Sequence, residues 1–140
     1  MCLHRKTKLR LKAKLKQLTG RSWNIGYTKR KEVLTTAIRG WTVYYRLAEM
    51  RSFVIETDAW LRSRIRMCIW KSWKSVKTRY RNLLRCGLEP WQARYASCAR
   101  KGYWRIATSR IMTRAATNER LRRAGYPTLL EYYEKLHPNL

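Results

Sequence analysis

The chain has 140 residues, room for one domain or two small ones. Its 45% hydrophobic content supports a real core and excludes a disordered basic tail. Thirty-three Lys and Arg face eight Asp and Glu, a net charge of +25, and so basic a compact chain repels itself unless an anionic partner shares its surface: nucleic acid first, an acidic membrane surface as the main rival.

The hydrophobic periodicity reads as all-α, with Gly and Pro falling between periodic segments. A first helix is expected over residues 7–18. Leu11, Leu15 and Leu18 form one stripe; Lys8, Lys12 and Lys16 run beside it at i, i+4 and i+8, and Arg10 and Lys14 flank its other side. The two glycines of "TGRSWNIGYT" break this helix, and a second begins near Lys29. Its apolar face carries Val33, Leu34, Ala37, Ile38, Trp41, Tyr44, Tyr45 and Ala48, which places Trp41, Tyr44 and Tyr45 on the core side. Gly40, in mid-helix, suggests a close helix crossing.

A long third helix is expected over residues 52–74. Val54, Leu61, Ile65 and Cys68 make one apolar line; Phe53, Trp60 and Met67 make a second. Arg62, Arg66, Trp70 and Trp73 form a separate face that alternates guanidinium and indole, with Lys74 just beyond it. For Trp70 and Trp73, burial under the C-terminal segment and stacking on bases both fit the spacing. A shorter helix follows over residues 79–86, stopped by Gly87, and Pro90 opens another in its first turn. In "RKGYWRIATSR", Gly102 interrupts the helical pattern. One of Tyr103 and Trp104 is then expected to anchor inward, while Lys101 and Arg105 stay outside. A sixth helix over residues 111–123 ends before Gly125, and "TLLEYYEKL" forms a last one. The pattern divides into a three-helix unit over residues 1–75 and a helical, basic C-terminal appendage over residues 76–140.

The cations come in blocks. From Arg5 to Lys31 there are eleven, before the first acid of the chain, Glu32. Between Asp58 and Glu89 there are nine and no acid; from Arg100 to Arg123 there are eight, opposed only by Glu119. Seven Trp and nine Tyr stand beside a single Phe, a mixture suited to base stacking as well as to packing.

Features of an active site are missing. Cys2, Cys68, Cys86 and Cys98 have no CxxC spacing, and with His4 and His137 they make no zinc pattern, so neither metal nor cofactor is expected. Scattered single thiols suggest a reducing cytoplasm. Eight scattered acids do not readily supply a two-metal site, and no P-loop, HExxH or GxSxG occurs. No apolar run reaches the roughly 18–20 residues that span a bilayer.

Several segments are similar to one family. "KAKLKQLTGR" (residues 12–21), "IRGWTVYYRLAEMRSF" (38–53), "DAWLRSRIRMCIWKSWK" (58–74) and "RKGYWRIATSRIM" (100–112) resemble the C-terminal part of bacterial group II intron-encoded reverse transcriptase/maturases. The first three resemble its maturase-specific, or X, domain, which also forms the polymerase thumb. "TNERLRRAGYPTLLEYY" (117–133) is similar to the tail of many bacterial members. The Tyr-x-Asp-Asp polymerase motif and the His-Asn-His endonuclease are missing, so the chain looks like a fragment: a truncated reading frame, a split gene or an excised piece.

The resemblance implies an RNA-binding domain that grips intron RNA and assists its folding, splicing and mobility, while the RNA performs the chemistry. Implied partners are group II intron RNA, an RNA/DNA template-primer duplex, and the fingers and palm of a parent polymerase in cis or in trans; no membrane is implied. The expected contacts to RNA are Lys8, Arg10, Lys12, Lys14, Lys16, Arg21, Arg62, Arg66, Trp70, Trp73, Lys74, Lys101 and Arg105, with no catalytic residue. The alternatives are an inactive remnant, a polymerase piece needing fingers and palm, or a generic basic helical DNA binder.

Overall fold

The protein was analysed as a computed structural model, which describes residues 3–20 and 22–137. Among these residues the chain forms nine α-helices and no β-strand: α1 (Arg5–Leu18), α2 (Tyr27–Tyr44), α3 (Arg51–Ser72), α4 (Val76–Arg85), α5 (Pro90–Ser97), α6 (Tyr103–Ala107), α7 (Arg110–Ala115), α8 (Asn118–Arg123) and α9 (Leu129–Leu136). The all-α class follows from the periodicity. Gly87 and Gly125 end their helices at φ of +90° and +99°, a conformation that costs a residue with a Cβ.

Two compact units form. The first comprises Met1–Leu61 and Ala124–Leu140, the second Arg62–Arg123. α3 continues beyond Leu61 into the second unit, and α9 packs on α2 in the first.

In the first unit Leu11, Leu15 and Leu18 of α1 are buried, with Leu34 and Ile38 of α2, Val54 and Leu61 of α3, and Leu129 and Tyr133 of α9. Burial of such aliphatic side chains is worth about 1.5–3 kcal/mol each. Two charged residues are buried among them. Arg30 donates from Nη1 to the Leu18 carbonyl at 2.8 Å and from Nη2 to the Trp23 carbonyl at 2.6 Å, closing the C-terminus of α1. Asp58 of α3 accepts from the backbone N–H groups of Leu129 (2.7 Å) and Leu130 (2.9 Å). Its carboxylate thereby sits at the positive N-terminus of α9, whose Thr128 cap accepts from the Glu131 N–H.

In the second unit α4 packs on α5, and α6 on α7. Ile65, Met67, Cys68 and Trp70 of α3 are buried, as are Leu83, Ala93, Ala96, Ile106, Met112 and Leu121. α4 starts three residues before the expected position because the Ser75 hydroxyl accepts from the Thr78 N–H and caps it. The single helix expected over residues 111–123 is two: Ala116 leaves the helical region at φ −116°, ψ 75°, and Thr117 restarts the chain by accepting from the Arg120 N–H.

Two expectations for α2 fail. Tyr44 is 77% exposed rather than on the core side, because α2 ends there and the chain turns. Gly40 is exposed, and a Cβ built on it meets nothing within 4 Å, so no helix crossing requires it. Gly40→Ala is therefore expected to stabilise the protein by about 0.5–1 kcal/mol through helix propensity. Thermal unfolding should show this as a rise in Tm of about 2–4 °C; a fall would mean that the space beside Gly40 is occupied.

Candidate nucleic-acid interface

α1 is built to show charge. The His4 ring accepts from the Lys6 N–H and caps the helix, no acid lies in its first turn, and its three buried leucines fix its orientation. The remaining arc is cationic. Arg10, Lys12, Lys14 and Lys16 are exposed and Lys8 is half-buried. The ammonium of Lys8 lies 5.4 Å from the ring centre of Phe53, and that of Lys12 lies 5.7 Å from Trp60. Rings on α3 thus hold one cationic edge in place without neutralising it. On the opposite edge Lys14 lines an open groove of about 480 Å³ with Leu18, Lys29, Glu32, Val33, Thr36 and Ala37. Arg10 and Lys14 are tied to no other side chain among the described residues. Arg21 lies outside the described residues.

The guanidinium–indole face expected on α3 is not a surface. Arg66 is 5% exposed and Trp70 is 2% exposed. Arg66 donates from Nε to the Ala116 carbonyl at 2.7 Å and from Nη2 to Asn118 Oδ1 at 2.9 Å, closing the C-terminal end of α7. Burial, and then the neighbouring Arg62 charge, hold its guanidinium below the usual arginine range. Trp70 meets Trp73 at 6.0 Å between ring centres, and the Arg79 guanidinium covers it at 4.6 Å. Both side chains, expected among the RNA contacts, are thus interior to the second unit, held by Ala116, Asn118, Trp73 and Arg79 of the same unit. Trp73 and Arg62 are half-buried, and Lys74 is exposed just past the helix end.

At Gly102 the two rings separate. Tyr103 is half-buried, with the Arg79 guanidinium 5.8 Å from its centre, while Trp104 is exposed. Lys101 is exposed and donates to the Tyr95 hydroxyl at 3.3 Å; Arg105 is exposed and has no side-chain partner among the described residues.

The helix-capping roles of three arginines and one aspartate are not apparent in the sequence. Arg30, Arg66 and Arg120 satisfy carbonyls at helix ends, Arg120 donating to Cys86 (2.7 Å) and Ala115 (2.8 Å). Asp58 does the converse at an N-terminus. Nothing in the spacing separates these residues from their exposed neighbours. Among the described residues no three His, Cys, Asp or Glu side chains gather where a metal could bind. No helix of these residues is long and apolar enough to cross a membrane.

The family model for the group II intron, maturase-specific domain matches residues 8–87, more than half of the chain. The chain belongs to this family. The match begins at Lys8 on the cationic arc of α1 and ends at Gly87, so it takes in α1 from Lys8 onward together with α2 to α4, and leaves α5 to α9 outside. No curated protein matches the chain. In this maturase-specific domain Lys8, Arg10, Lys12, Lys14 and Lys16 of α1 fall inside the family region, whereas Lys101 and Arg105 fall beyond it.

The placement of Arg66 has a direct check. Arg66→Lys keeps the charge and loses the planar fork that spans Ala116 and Asn118. It should lower the unfolding free energy by about 1–3 kcal/mol in urea denaturation. A cation facing solvent phosphates would tolerate lysine with a change of under about 0.5 kcal/mol.

Proposed function

We propose that this maturase-specific domain binds group II intron RNA and helps it reach its splicing-competent fold, with no bond-making or bond-breaking step of its own. The observation that carries this reading is the acid-free α1 inside the family region. Its leucine stripe is buried and its lysines and arginines are held outward on a helical frame. Such an arc gains affinity for a phosphate backbone by releasing condensed counterions, and it needs no base-specific geometry.

The chemistry of splicing then belongs to the RNA, and the protein supplies cations and shape. Arg10, Lys12 and Lys14 are the primary phosphate contacts, because they are exposed around α1. Lys8 and Lys16 extend the same arc, Lys8 with its ammonium steered by the Phe53 ring. In this reading Lys74, Lys101 and Arg105 add general attraction to a polyanion. The same arc would follow a template-primer duplex if fingers and palm were supplied in cis or in trans, and the setting is the cytoplasm.

Replacing Arg10, Lys12 and Lys14 together with Ala tests this. Each phosphate contact contributes about 0.7–0.9 to the slope of log K against log salt, so the slope should fall by about 2–3. Helicity by circular dichroism should persist, since Ala favours helix. A slope identical to that of the parent chain would remove α1 from the RNA surface.

A further inference from the structure

α5 presents an aromatic pair that the packing of the second unit does not use. The helix is eight residues long and is fixed at its start by reciprocal hydrogen bonds between Glu89 and Gln92. It turns Ala93, Ala96 and Ser97 inward. The rings of Trp91 and Tyr95, one turn apart, are left 69% and 60% exposed. Among the described residues the Trp91 side chain touches no ring and makes no hydrogen bond. Tyr95 is held by a cation alone: the Lys101 ammonium donates to its hydroxyl at 3.3 Å and lies 5.4 Å from its ring centre. Arg94, also exposed, stands between the two rings in sequence and one turn from Trp91.

The surrounding charge selects the occupant. The unit Arg62–Arg123 contains 18 Lys and Arg against Glu89 and Glu119, a net charge of 18 − 2 = +16. A second copy of so cationic a surface is repelled, whereas a polyanion is attracted over its whole extent. A duplex hides its base faces in the stack and offers phosphates only, which flat exposed rings do not recognise. An unpaired strand offers both phosphates and free base faces. We propose that Trp91 and Tyr95 stack on unpaired bases of a nucleic-acid strand, with Arg94 and Lys101 taking the flanking phosphates. This second site lies outside residues 8–87 and does not depend on α1 binding RNA.

The test uses the full chain and fluorescence anisotropy with labelled oligouridylate, oligothymidylate and an RNA duplex of equal length. Trp91→Ala with Tyr95→Ala should weaken binding to the single strands about tenfold or more, since stacking is worth about 1–3 kcal/mol per base. The salt slope should not change, because no charge is removed, and duplex affinity should stay within about twofold. Arg94→Ala with Lys101→Ala should instead reduce the single-strand slope by about 1.4. Losses on both single strands, or on one alone, support the site and identify the strand it takes. The proposal is overturned if single-strand affinity changes less than about twofold, if duplex and single strand lose equally, or if the substitutions abolish a dimer seen by sedimentation and leave single-strand affinity intact. A normal slope response in the α5 variants beside an unresponsive α1 would defeat the α1 reading and leave this site standing.

Discussion

Guanidinium groups closing helix C-termini are the interaction on which this fold depends. An α-helix ends in four carbonyls without internal partners and a partial negative charge, and a chain cut into short helices has many such ends. Arg30 closes α1, Arg66 closes α7, and Arg120 bridges the end of α4 to the end of α7. A chain with 33 cations and eight acids cannot balance itself by ion pairs. It uses backbone carbonyls as the counter-charge for the arginines it buries. Asp58 applies the same logic with opposite sign, its carboxylate held by two N–H groups at the start of α9. The ion pairs Lys29–Glu32, Arg51–Glu134, Arg122–Glu119 and Lys135–Glu131 lie between exposed groups, where such pairs contribute about 0–1 kcal/mol.

The rest of the charge is directed outward by this arrangement. Once carbonyls have taken the buried guanidiniums, cations such as Arg10, Lys14, Lys74 and Arg105 face solvent. A bound polyanion would relieve mutual repulsion among them, so the proposed function links binding to stability. The membership of α1 to α4 in the maturase-specific family gives that polyanion a chemical identity in the proposed function, an intron RNA. In the two proposals the aromatic pair on α5 adds a different kind of contact: α1 offers charge to a backbone, whereas α5 offers flat faces to bases.

Much of the frame was legible in the sequence, and the reasons are local. Leu11, Leu15 and Leu18 mark the buried stripe of α1, the line Val54, Leu61, Ile65 and Cys68 is buried in α3, and Gly87 and Gly125 stop helices at positive φ. Periodicity finds the apolar face of a helix but not a second packed face. Arg66 and Trp70 thus look like a surface in the sequence and are interior in the fold. A guanidinium that caps a helix fifty residues away leaves no trace in spacing, which also explains why the break between α7 and α8 was missed: Arg66 holds the Ala116 carbonyl there. Tyr44 shows the opposite error. Its helical phase is apolar, yet the helix ends at that residue and the ring is exposed. For Trp91 and Tyr95 the sequence shows a spacing of four, and only the inward turn of Ala93 and Ala96 reveals that the pair faces out.

The central claim is that the cationic frame serves folded intron RNA. Equilibrium binding of the purified chain to a structured group II intron RNA and to a DNA duplex of equal length, over a range of salt concentrations, tests it most directly. The account predicts tighter binding to the RNA at physiological salt, with log K falling steeply and linearly with log salt for both. Equal affinity for the two at physiological salt would contradict it.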